Sequence, residues 1–74
     1  MVRYYAFVRE SAADRHGIDL DGIGYLSQLV TIDQEHGLRP GDVIVLPSDK
    51  KNGQVRQLKR GNSGYKWLKV KGDI

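Results

Sequence analysis

Apolar and polar side chains alternate at the start of the chain. Val2, Tyr4, Ala6 and Val8 interleave with Arg3, Tyr5, Phe7 and Arg9. A period of two predicts a strand over residues 2–9, with aromatic rings on both of its faces. Two later segments end alike: Asp14-Arg15-His16-Gly17-Ile18 and Gln34-Glu35-His36-Gly37-Leu38. Histidine suits the last turn of a helix, where it meets the negative end of the dipole, and glycine supplies the left-handed residue just beyond. Ser11 with Asp14, and Thr31 with Gln34, have the spacing of capping boxes. Short helices are therefore predicted over about residues 12–16 and 32–36. Residues 23–30 fit two periods. Ile23, Leu26 and Val30 suit a helix, whereas Leu26, Gln28, Val30 and Ile32 suit a strand. The β-branched run Val30-Thr31-Ile32 favours the strand, and Gly22 and Gly24 argue against a helix beginning before residue 25.

The second half reads as a meander. Arg39-Pro40-Gly41-Asp42 fits a type II turn, with proline presetting φ and glycine accepting a positive φ. Val43 to Leu46 follows as a strand buried on both faces. Asn52-Gly53 between two apolar runs is a hairpin signal, which makes Val55 to Lys59 the return strand. Gly61-Asn62-Ser63-Gly64 is a second turn, and Tyr65 to Lys71 is a third strand. The expected fold is α+β but mostly β. It is a small curved antiparallel sheet or a partly open SH3-like barrel, with four to five strands and one or two short helices. The seven residues Gly37-Leu38-Arg39-Pro40-Gly41-Asp42-Val43 resemble the segment that opens a strand in many small β-barrels. Transcription-factor-like swapped-hairpin barrels and SH3-like barrels are among them. The resemblance implies a fold class and no function.

A chain of 74 residues has room for one domain, 1–74, whose small core supports a stability of roughly 3–5 kcal/mol. That length excludes two-domain enzymes, doubly wound nucleotide-binding folds and (β/α)₈ barrels. Leu, Ile, Val and Phe make up 20 of the 74 residues, which is too apolar for a disordered chain. The absence of cysteine excludes disulfides, a thiolate zinc site and a cysteine nucleophile. The longest apolar run, Val43-Ile44-Val45-Leu46, is far too short to span a bilayer. The first residues lack the apolar stretch of a signal peptide. The expectation is a cytoplasmic protein without a membrane partner.

Charge changes the picture most. Residues 1–49 hold four Arg and eight Asp or Glu, a net of −4, and residues 50–74 hold eight Lys or Arg and one Asp, a net of +7. Together they give the formal +3 of the chain. The last third therefore projects a positive field of the kind that attracts polyanions or an acidic protein surface. The alternative is a solvated, solubilising face.

Candidate catalytic chemistry is sparse. Ser11, Ser27, Ser48 and Ser63 lie in caps, turns or the ambiguous segment, and none has a nucleophile-elbow sequence. Helix capping accounts for His16 and His36 more simply than a triad or a metal site does. Gly22-Ile23-Gly24 lacks the third glycine of a dinucleotide fingerprint, since position 27 is serine. Arg60-Gly61-Asn62-Ser63-Gly64 has the composition of an anion-binding nest, although a hairpin turn with no ligand is the favoured reading. The expectation is no catalytic residue, no metal, no cofactor and no small-molecule substrate.

The strongest feature is the basic meander. Lys50, Lys51, Arg56, Lys59, Arg60, Lys66, Lys69 and Lys71 fall on its last two strands and their connections. Tyr65 and Trp67 share a face of the last strand with Lys69 and Lys71, while Leu68 and Val70 point into the core. These residues form the candidate binding site, with Arg3, Tyr5, Phe7 and Arg9 of the first strand as a secondary one. Such a strip suits single-stranded nucleic acid, with bases on the rings and phosphates on the lysines. It also suits a protein surface that offers pockets for aromatic anchors. Trp67 filling the small core is the competing role for that ring.

In size and overall character the chain resembles the short phage-encoded proteins that bind and redirect host RNA polymerase. That resemblance implies a non-enzymatic binding module that docks on a larger protein complex, RNA polymerase, and regulates transcription. The alternative is a nucleic-acid-binding small β-barrel that uses the basic meander directly.

Overall fold

In a computed structural model the chain forms an open three-stranded sheet with helices on both faces. Residues 3–48, 53–61 and 64–72 are described. The elements are β1 (Arg3–Arg9), α1 (Glu10–His16), a 3₁₀ turn (Leu20–Gly22), α2 (Leu26–His36), β2 (Val43–Pro47), α3 (Gly53–Gly61) and β3 (Tyr65–Lys71).

The sheet order is β2-β1-β3. β1 is antiparallel to both neighbours, with Ala6 opposite Val45 on one side and Leu68 on the other. A central strand is covered on both faces, and the middle of β1 shows it: Ala6, Phe7 and Val8 are all buried. The two faces follow from the alternation. Tyr4, Ala6 and Val8 share a face with Val43, Val45, Leu68 and Val70. This face packs with Ala13 of α1, Leu20 of the 3₁₀ turn and Leu29 of α2 to make the main core. Phe7 belongs to the other face, between Ile44 and Trp67 in register. That face meets α3, because Lys59 Nζ lies 4.4 Å from the Tyr5 ring centroid and 4.1 Å from that of Trp67.

Several local expectations hold. α1 closes in a Schellman arrangement, with Gly17 at φ 66° and the Ile18 amide donating to the Ala13 carbonyl at 2.9 Å. α2 closes with Gly37 at φ 61° and a 2.8 Å bond from its amide to Asp33. The type II turn is present: Gly41 has φ 89°, and the Asp42 amide donates to the Arg39 carbonyl at 3.0 Å.

Other expectations are overturned. The described residues contain three strands rather than four or five, and the sheet is open, with no barrel. Among the described residues, three α-helices and a 3₁₀ turn replace the one or two short helices. Residues 26–32 are helical. The capping boxes proposed at Ser11 and Thr31 do not form, because Ser11 lies inside α1, which begins at Glu10, and Thr31 lies inside α2, which begins at Leu26. Instead the Gln28 side-chain oxygen accepts from the amides of Gly24 (2.8 Å) and Tyr25 (2.9 Å), which starts α2 six residues earlier than Thr31. The expected return strand Val55–Lys59 is α3. Gln54, Arg56, Gln57, Leu58 and Lys59 are good helix formers, and Val55 with Leu58 makes an i, i+3 stripe that meets the sheet. The hairpin signal at Asn52 lies outside the described residues, and Gly53 opens the helix. β2 is a strand, as read, but an edge strand. Val43 to Leu46 are half-buried rather than enclosed on both faces.

Candidate functional site

Alternation along β3 puts Tyr65, Trp67, Lys69 and Lys71 on the α3 side of the sheet, as the sequence pattern predicts, while Leu68 and Val70 enter the core. Trp67 does not fill that core. It is 47% exposed and meets Tyr5 edge-to-face, with ring centroids 5.6 Å apart. Their register sets this contact: Trp67 is opposite Phe7 and Lys69 is opposite Tyr5, which makes Trp67 and Tyr5 diagonal neighbours. The Lys59 ammonium, carried by the last turn of α3, sits over both rings. Cation and π faces attract most when partly desolvated, so Lys59 fixes the pair and keeps a positive charge beside it.

The rest of the predicted set is divided among three places. Arg56, Lys59 and Arg60 lie on α3, a helix and not a strand. Lys69, Lys71 and Arg3 lie on the sheet face that α3 shares, and all three are exposed. Lys50 and Lys51 lie outside the described residues.

Four candidates are corrected: Lys66, Phe7, Arg9 and Tyr65. Lys66 faces the opposite side, next to Val8 in register, and its ammonium bonds the Asp21 carboxylate of the 3₁₀ turn. The bond to Asp21, reinforced by the charges of Asp21, Glu10 and Asp19, holds the Lys66 ammonium above the ordinary lysine value despite some desolvation. Phe7 is only 1% exposed and offers nothing to a partner.

Arg9 and Tyr65 belong to a polar cluster at one end of the sheet. The Arg9 guanidinium donates to the Tyr65 hydroxyl at 2.8 Å, and that hydroxyl donates to the Gly41 carbonyl at 2.6 Å. The bond to Tyr65 is the main reason the Arg9 guanidinium holds its proton more tightly than an ordinary arginine. Asp42, only 3% exposed, accepts from the Arg39 amide at 3.1 Å and lies 3.7 Å from Arg9 and 3.6 Å from Arg15. The cluster ties β1, β3, α1 and the turn before β2 together, so Arg9 and Tyr65 are structural.

One residue of the surface escaped the sequence reading. Tyr25 is 45% exposed at the start of α2. It bridges to Lys71 at the edge of β3, and the Lys71 amide donates to Gly24 at 3.0 Å. Lys71 Nζ lies 5.9 Å from the Tyr25 ring centroid. No local pattern marks Tyr25, because its neighbour on β3 is 46 residues away in sequence.

The charges divide by layer. Glu10, Asp14, Asp19, Asp21, Asp33 and Glu35 all belong to α1, α2 or the segment between them. Arg56, Lys59 and Arg60 are on α3, and Arg3, Lys69 and Lys71 face the same side. The sheet separates the two sets. Among the described residues no group of three or more His, Asp or Glu is placed to hold a metal, and no helix is long and apolar enough to cross a membrane. His16 and His36 end their helices as predicted, with ring centroids 5.2 Å apart. No known protein family, no curated protein and no solved structure matches this chain.

Proposed function

We propose that this chain is a non-enzymatic binding module whose α3 side takes single-stranded nucleic acid. The observation that carries this reading is the half-exposed Trp67, paired with Tyr5 and capped by Lys59, on a sheet face that also carries Arg3, Lys69 and Lys71. Bases have π faces that stack on such rings whatever their sequence, and a backbone tracks the neighbouring lysines and arginines. Summed along the chain, the acidic residues would repel a polyanion. In the fold the acids of α1, α2 and the segment between them lie across the sheet from the rings, and salt screens exposed charges further.

The test is a titration of Trp67 emission with short single-stranded oligonucleotides across salt. With three or four phosphates neutralised, affinity is expected to fall about 20–50-fold between 50 and 200 mM salt. Trp67→Ala is expected to weaken binding by about tenfold, and Lys69→Glu with Lys71→Glu to abolish it while leaving the fold intact. Absence of a salt-dependent complex, or indifference to both variants, refutes the reading.

A second reading uses the same face to dock on a larger protein machine, RNA polymerase being the one that the chain's resemblance in size and character implies. The half-exposed Trp67, beside the partly buried Tyr5 and the arginines of α3, is the composition of an interface anchor. Affinity capture with and without nuclease separates the two. A protein complex that survives nuclease supports docking, and loss of everything recovered supports nucleic acid.

A further inference from the structure

The two edges of the sheet are treated differently. On the β1 side, the bonds from Arg9 N to Asp42 O (2.8 Å) and from Ser48 N to Arg3 O (3.0 Å) fix which residues of β2 face inwards. In an antiparallel ladder these pairs alternate, so Ile44 and Leu46 bond β1, while the amides and carbonyls of Val43 and Val45 point out of the sheet. Among the described residues no strand pairs with that edge. It carries no charge, only Val-Ile-Val-Leu-Pro. The edge of β3 is defended by comparison: it alternates with lysines, and Gly24 and Tyr25 cover its end. An uncharged, apolar edge is a template for another strand.

Beside β2 lies a groove of about 380 Å³ whose walls include Leu29 and Val30 of α2 and Val43 and Val45 of β2. Val30 is 44% exposed there. Asp33 and Arg39 also line it, and neither joins an ion pair among the described residues. One acid and one base on the same groove are self-complementary under a two-fold axis, because residue i then meets residue j and j meets i.

We propose that β2 pairs with β2 of a second copy of this chain, making a two-fold dimer with a continuous six-stranded sheet. A two-fold centred on Ile44 sets Val43 opposite Val45 of the second copy. Two reciprocal pairs of backbone bonds form, and none requires an amide from Pro47. The groove residues of the two copies meet over the junction, with Asp33 of each copy facing Arg39 of the other. The axis is perpendicular to the sheet, so both α3 layers lie on the same side. This dimer is independent of what the basic face binds.

Sedimentation equilibrium over a wide range of protein concentration tests it. The expected result is a mass that rises to twice that of the monomer. Val30→Glu, Asp33→Arg and Arg39→Asp are each expected to hold the chain monomeric while far-UV circular dichroism stays unchanged. Mixing Asp33→Arg with Arg39→Asp is expected to restore a dimer, because opposite charges again face each other across both junctions. A wild-type monomer at every concentration overturns the proposal and leaves the edge to a strand of another protein. A dimer indifferent to all three substitutions overturns it too, placing the contact elsewhere.

Discussion

Single residues divide sharply into those that hold the fold and those that face a partner. Phe7 and Trp67 sit opposite each other on one sheet face, yet only Trp67 is reachable. Alternation grouped Phe7 with Tyr5 and Trp67 with Tyr65, but it carried neither the pairing of the two strands nor depth, because depth depends on α3 lying over the sheet. Phe7→Ala is expected to cost about 3–5 kcal/mol, comparable to the whole stability of a domain this size. Chemical denaturation would then show no native baseline at 25 °C. Phe7→Leu should fold with lowered stability and bind like the wild type. Asp42 makes a second case. Removing its carboxylate strands the Arg39 amide and releases two guanidinium groups, so Asp42→Ala is expected to lose about 1–3 kcal/mol in urea unfolding.

Elements were legible where a local signal was unambiguous. The glycines that end α1 and α2, the Pro-Gly turn before β2, and the alternation of β1 and β3 all carried their conformation in a few residues. α3 did not, because Asn52-Gly53 is a hairpin dipeptide and outweighed the helix propensity of the six residues after it. The start of α2 was hidden because its capping group is Gln28, a residue inside the helix reaching back to Gly24 and Tyr25. Two substitutions probe these elements. Gln57→Gly should destabilise α3 by about 1 kcal/mol, which lowers Tm by about 4–8 °C in a domain of this length. Gly37→Ala forces a side chain into the left-handed cap of α2 and should cost about 1–2 kcal/mol in the same measurement.

Most of the molecule's charge is sorted by layer, with Arg15 of α1 and Lys66 as cations on the acidic side, and a running count along the chain only half reveals this. The count finds a negative first part and a positive last part. It misplaces Lys66, which is bound to Asp21 on the acidic side, and it cannot tell that Arg3 stands with the basic group. The candidate surface joins β1, α3 and β3, so its membership depends on topology rather than on any one stretch of sequence. The molecule that carries it has principal extents of 33 × 28 × 21 Å.

The strand order also sets a timetable for folding. β1 is made first and lies in the middle, while the last strand needed to flank it ends at Lys71. Arg3 pairs with Lys71, almost the full length of the chain away. Contacts so distant in sequence slow folding, because the loop entropy must be lost before they form. During synthesis, therefore, β1 must wait with Ala6 and Val8 unprotected until residue 71 has left the ribosome. A nascent chain halted before Tyr65 should be readily digested by protease, and one extended past Lys71 should resist.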